Sequence, residues 1–394
     1  MQSAHTTRIE EEKINALNKA EEPRKQQMAN IMDYLNWRGE LSFSQDGLNE
    51  IDSLILSNIS YVALDRIVPS PWEPDTILLK DAIRQFWERQ EEQEQLKRCS
   101  LIKMAPFIMR RLAQTKRFGT LSLAGYQNSV CKEEESQFSA VCIELGPQQT
   151  YVAFRGTDDT LIGWKENFCM CFETVPAQRK AADYLNYIGR KYTGELWLGG
   201  HSKGGNLAVY SAAKAKPELQ KRIKGIYNFD GPGFSKRMLA SVGYQQIAGR
   251  IYKYVPVSSI IGMLLEQDEN YQIVSSEEQG LRQHDPASWR VLGSRFVSVP
   301  RQDKEIRWLN HIMHQFIYHL SLEERKNFVN TLFQVMEESD IHTVDDFGGE
   351  FRRTRLRRIR QEMRKSPACQ QVLKQAGHQM LAEVKRGLTG LIHP

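Results

Sequence analysis

Hydrophobic and polar positions change their period along this chain, and each change predicts a different kind of element. Residues 1–30 are highly polar, which reads as a frayed helix or disordered arm. From Ile31 apolar residues recur at helical spacing. Leu48, Ile51, Leu54, Ile55 and Ile59 share one face, which predicts an N-terminal helix packed on a larger body. Residues 76–115 read as mainly helical, with WERQEEQEQLKR as a solvated face. The pattern then turns β-rich at 120–125, 139–145 and 150–154, the first two separated by the polar turn QNSVCKEEESQ. A helix at 177–192, a strand at 195–199, a helix at 205–215 and strands at 223–229, 251–256 and 271–275 follow. Such alternation predicts an α/β fold, a mostly parallel sheet covered by helices on both faces. Helical periodicity returns at 305–340 and 351–390. The expected organisation is a polar arm (1–30), a helical region packed on the core (31–115), an α/β core (116–340) and a basic helical tail (341–394).

Composition narrows the class without naming a chemistry. With 394 residues, 41% hydrophobic and 26% charged, the chain can form one large α/β domain with additions, or two domains. No apolar run is long enough to span a bilayer, and MQSAHTTRIEEEK contains no apolar signal-peptide core, so a cytoplasmic location is expected. The six cysteines are scattered, with Cys169 and Cys171 the only close pair, and are read as reduced thiols. His311, His314 and His319 lie near one another, but no further ligand has the helical spacing to join them, so neither a metal nor an organic cofactor is expected. The net charge of +5 belongs to the tail, where residues 351–394 hold eleven Lys and Arg against two Glu. Such a run can dock on an anionic membrane, with nucleic acid the less favoured partner.

The strongest chemical signal is ELWLGGHSKGGNLAVYSAAKA at 195–215. Gly200-x-Ser202-x-Gly204 lies where an apolar strand turns sharply into an alanine-rich helix, the layout that lifts a nucleophilic serine clear of a sheet. The same glycines would also serve a turn with no chemistry. A serine needs a base, and His284, in the polar loop GLRQHDPASW, follows in the chain order that this arrangement imposes. His201 adjoins the nucleophile, but its side chain should point into the fold. For the acid, Asp230 closes the strand IKGIYNF and opens a turn, with Asp268 and Asp285 as rivals. The oxyanion donors expected are the backbone N–H of Lys203 and Thr157 in Phe154-Arg155-Gly156-Thr157, with Arg155 read as half of a structural ion pair.

YVAFRGTDDTLIGWKENF followed by GGHSKGGNLA resembles the class 3 lipase pattern. The chain as a whole looks like the bacterial, lipase-like Mbeg-like family of α/β-hydrolases, through DYLNWRGEL, ISYVALDRIVP, QFSAV, NFDGPGF, YVPVSSIIGML and QHDPASW, over about residues 31 to 340. The resemblance implies an α/β-hydrolase fold, Ser202 as nucleophile, Thr157 as oxyanion residue and His284 as base. Class 3 lipases carry their acid in a segment comparable to VPVSSIIGML, which offers only Ser258 and Ser259. NFDGPGF resembles pancreatic-type lipases instead, which supports Asp230. Lys203 stands where lipases usually carry an apolar residue, and its cation would either attract acidic or phosphorylated substrates or be paired at the surface. Two functions are therefore expected to compete. One is a serine hydrolase cleaving an acyl or lipid ester. The other is a binding or scaffold protein on a hydrolase fold, working through its basic tail.

Overall fold

Eight strands hydrogen-bond side by side in the order in which they occur in the chain. In the computed structural model the described residues are 29–97, 102, 104–131, 133–134, 136–157, 161–170, 173–259, 261–263, 270–302, 321–339 and the isolated positions 361, 365 and 370. The arm before residue 29, Asp268, the three histidines at 311, 314 and 319, and the basic tail apart from those isolated positions lie outside them. The leading half of the sheet is antiparallel: β1 (Ile77–Leu78), β2 (Ser122–Cys131), β3 (Ser136–Gly146) and β4 (Gln149–Phe154). From β4 onward every pairing is parallel, through β5 (Glu195–His201), β6 (Ile223–Phe229), β7 (Ile251–Pro256) and β8 (Tyr271–Val274). This is an α/β-hydrolase fold, with an antiparallel lead-in and a parallel half whose crossovers carry helices.

Two expectations of local structure need correction. The polar stretch after residue 125 is not a turn, since Gln127–Cys131 pair with Ser136–Ala140 and extend the β2–β3 hairpin. Its residues alternate between exposed and partly buried positions, so a strand lying on the protein surface carries the polar composition of a loop. The two-residue β1 also went unseen, being too short to show a period.

Each face of the sheet has its own apolar core. On one face α1 (Ile31–Arg38), α2 (Glu50–Ile59), α3 (Leu79–Arg89) and α4 (Ala105–Leu112) pack against Val141, Ile143, Tyr151, Phe229 and Tyr254. Asn49 caps α2 through the N–H groups of Ile51 and Asp52, and Asp52 returns a bond to the Asn49 N–H. Ile51 to Ile59 are all buried, so the sheet and the neighbouring helices enclose this helix on every side. On the other face α6 (Pro176–Lys191), α7 (Lys203–Lys214) and α8 (Val242–Ile247) cover Val152, Leu198 and Ile226. The helix α5 (Leu161–Cys169) meets α9 (Leu322–Glu338) through Phe168 and Phe333, whose ring centres are 5.8 Å apart. The register aligns Phe154 with Gly200, Gly200 with Asn228, and Phe229 with Tyr254, so the segments leaving β4, β5, β6 and β7 emerge together at one edge.

Candidate active site

Ser202 occupies the turn between β5 and α7 with φ 56° and ψ −132°, a conformation that L-residues adopt only under constraint. The constraint is visible in the packing. A Cβ at Gly204 would collide with the Phe154 carbonyl oxygen and lie 2.9 Å from the Arg155 carbonyl carbon, so only glycine lets the elbow seat against the end of β4. The Ser202 N–H donates to Phe229 O at 2.8 Å, which ties the elbow to β6 as well. Among the described residues Ser202 Oγ has no hydrogen-bond partner.

Asp230 follows β6 with φ 52°, its N–H donating to Tyr254 O at 2.8 Å. Its Oδ2 lies 2.6 Å from His284 Nδ1, and both side chains are buried. That contact makes Nδ1 the protonated nitrogen and leaves the Nε2 lone pair free to act as a base. The other oxygen, Oδ1, accepts from Ser259 Oγ. The serine-bearing segment after β7 thus supplies a bond to the carboxylate. Asp285 is engaged in its own turn, where Oδ1 accepts from Ala287 N at 2.9 Å. His284 ends a short 3-10 helix, Gly280–His284. Gln283 anchors it, accepting from Ser258 N at 2.9 Å through Oε1 and from the fully buried Trp289 Nε1 at 2.8 Å through its carbonyl.

The acid turn is braced from α7. Asn206 Nδ2 donates to Pro232 O and Gly233 O at 3.1 and 3.0 Å, while Gln178 Nε2 donates to Asn206 Oδ1 at 2.9 Å. Nearby, Lys253 is buried and donates to Gly262 O at 2.7 Å. Burial pushes its ammonium down to about 7, with the charge of Asp230 acting in the opposite sense.

Thr157 closes the segment that leaves β4, and its Oγ1 is buried without a hydrogen-bond partner among the described residues. An orphaned buried hydroxyl is costly to keep. Arg155 was expected in an ion pair. Its guanidinium instead donates to Asn128 Oδ1 at 3.0 Å, and Asn128 Nδ2 donates to Asp65, so the carboxylate is reached through an amide.

The Lys203 ammonium neither faces a substrate nor sits at the surface. It is buried, 2.9 Å from Glu166 Oε2. Sequence reasoning missed this partner because Glu166 lies 37 residues before Lys203 and nothing local ties the two together.

A further contribution that periodicity did not disclose comes from the N-terminal region. Tyr61 Oη lies 3.0 Å from His201 Nδ1 and 3.2 Å from the His201 carbonyl, and a Cβ at Gly156 would strike that hydroxyl. His201 is fully buried, its ring 4.4 Å from that of His284. Burial, and then the charge that His284 can carry, hold its imidazole well below the usual histidine range. It is therefore neutral. Among the described residues no three His, Cys, Asp or Glu side chains gather as a metal site requires.

The family model described as Mbeg1-like matches residues 112–334, more than half of the chain and every residue just discussed from Asn128 to Trp289. The chain belongs to the Mbeg1-like family. No curated protein matches it. Among solved structures this Mbeg1-like chain is similar to M37 lipase, at 13% identity and a TM-score of 0.34, over 54% of this chain and 67% of the lipase. It is also similar to the Lip2 lipase from Yarrowia lipolytica, at 12% identity and a TM-score of 0.31, over 47% of this chain and 74% of that one.

Proposed function

We propose that this Mbeg1-like protein is a serine hydrolase acting on an acyl ester. The observation that carries the reading is the buried Asp230–His284 contact of 2.6 Å, at the sheet edge where the strained Ser202 stands. Ser202 Oγ attacks the ester carbonyl carbon as its proton passes to His284 Nε2, and the carbonyl π electrons move to oxygen. The oxyanion is held by the backbone N–H of Lys203 and by Thr157. When the tetrahedral adduct collapses, the C–O bond to the alcohol breaks and the alkoxide takes the proton from His284. Water, deprotonated by the same imidazole, then frees the carboxylic acid and restores Ser202. Asp230 keeps Nδ1 protonated and offsets the imidazolium charge, and Ser259 steadies the carboxylate.

The orphaned Thr157 hydroxyl and the occupied state of Asp285 support the same assignment. Among the described residues no helix is long and apolar enough to cross a membrane. The basic tail is proposed to touch an anionic lipid surface and to take no part in the chemistry.

A fluorophosphonate probe and a series of p-nitrophenyl esters of graded chain length test the reading. Labelling and turnover that disappear in Ser202→Ala are expected. A wild-type protein that neither labels nor turns over any ester would sink it in favour of a binding role.

A further inference from the structure

Glu166 and Lys203 form an ion pair that the proposed reaction does not use, and it joins the two halves of the proposed oxyanion site. Both side chains are removed from water, at 1% and 0% exposure. The Glu166 carboxylate gathers donors from three elements: Lys203 Nζ at 2.9 Å from the elbow helix, Gln137 N at 3.1 Å from β3, and Ala177 N at 3.0 Å from α6. Lys203 Nζ also donates to Gln137 O at 2.9 Å. Stability alone is a weak reason for such a pair, because apolar side chains of similar volume often replace buried ions at no loss. Its location supplies a better one. Lys203 carries the first proposed oxyanion donor on its own backbone. Glu166 lies on α5, which begins four residues after Thr157, the second.

We infer that the Glu166–Lys203 pair is a positioning device that fixes α5, and with it the Thr157 segment, against the elbow so that both donors meet one oxyanion. The inference rests on the serine-hydrolase reading. Elbow and Thr157 segment already touch where Gly204 meets Phe154 and Arg155. The ion pair adds a second tie, from a side chain rooted beside Ser202 to α5. Displacement of a donor by a fraction of an ångström weakens the transition state more than the ground state, so the pair should govern kcat and leave KM alone.

The test compares the wild type with Glu166→Gln, with Lys203→Met and with the double variant carrying both changes. Each is followed by thermal midpoint, by the rate of fluorophosphonate labelling, and by kcat and KM on a short-chain p-nitrophenyl ester. Lys203→Met is expected to melt below the wild type, because it strands a buried carboxylate. The double variant, neutral on both sides, should recover most of that loss while its kcat stays about 10- to 100-fold low with KM within about twofold. A purely structural pair predicts the opposite, with kcat returning as the midpoint returns. A double variant with wild-type midpoint and wild-type kcat therefore overturns the inference and leaves the hydrolase reading standing. Should the double variant not fold, Glu166→Gln decides alone: a normal labelling rate in a folded protein rejects positioning, and failure of every variant to fold assigns the pair to folding instead. A wild type that does not label removes both readings together.

Discussion

Of the buried polar clusters against this sheet, one beneath the N-terminal helices and one at the sheet edge differ in how completely their atoms are used. Beneath the N-terminal helices Arg117 spends every donor. Its Nε and one Nη reach Asp52 at 2.8 and 2.6 Å, and the remaining protons go to the carbonyls of Leu41, Asp46 and Gly47 at 2.9 to 3.0 Å. Tyr34 Oη donates to the same carboxylate at 2.8 Å and accepts from Asn49 Nδ2 at 2.8 Å. At the sheet edge the Asp230–His284 pair is as tightly made, yet Thr157 Oγ1 is buried without a partner among the described residues. A network with every atom paired gains nothing from a ligand, whereas an unpaired buried hydroxyl carries a cost that a ligand oxygen would relieve, as the proposed hydrolase reading requires of Thr157.

That contrast can be broken by mutation, with the largest effect at the open cluster. Ser202→Ala should lower ester turnover by about 10³-fold or more while the thermal midpoint stays within a degree or two, because the hydroxyl that is lost makes no hydrogen bond to the described residues. Steady-state rates beside calorimetry check it, and an unaffected rate would remove Ser202 from the chemistry. Asp230→Asn should reduce kcat by about 10²- to 10⁴-fold with KM nearly unchanged, since an amide no longer enforces the tautomer that bares Nε2. A normal kcat in Asp230→Asn beside a crippled Asp285→Asn would transfer the acid to the neighbouring loop.

The closed cluster should respond in stability alone. Asp52→Asn leaves Arg117 buried without its counter-ion and should cost about 3–5 kcal/mol in urea unfolding, while activity per folded molecule is retained. Loss of turnover in the folded fraction would show that the N-terminal layer does more than pack.

The smallest effect concerns His201. Its pKa is depressed on folding, so its contribution is fully present above the unfolded value of about 6.5 and is lost as pH falls below it, at up to about 1.4 kcal/mol per pH unit. His201→Phe should flatten that acid slope. An unchanged pH dependence of the melting midpoint would mean that the acid sensitivity arises elsewhere.

The sequence by itself determined the α/β alternation and the elbow at Ser202, because these are encoded locally, while for the acid it left Asp230 beside Asp268 and Asp285. A strand followed by Gly-x-Ser-x-Gly and an alanine-rich helix permits one backbone path, and Trp197, Leu198 and Ile226 have the periodicity of buried strands. The polar end of the β2–β3 hairpin was illegible for the converse reason, since a surface strand and a loop share a composition.

Only the tertiary structure decided among partners distant along the chain. It brought Ser259 onto Asp230, Tyr61 onto His201 across 140 residues, and Glu166 onto Lys203. It also moved Lys203 from an expected surface cation to a buried one, and turned the N-terminal helices into the layer that reaches the site. The physical reason is that a charge or hydroxyl is chemically the same residue on the surface and in the core. Whether its hydrogen-bonding capacity is spent on solvent, on the backbone or on a reacting atom is set by what the sheet register places beside it.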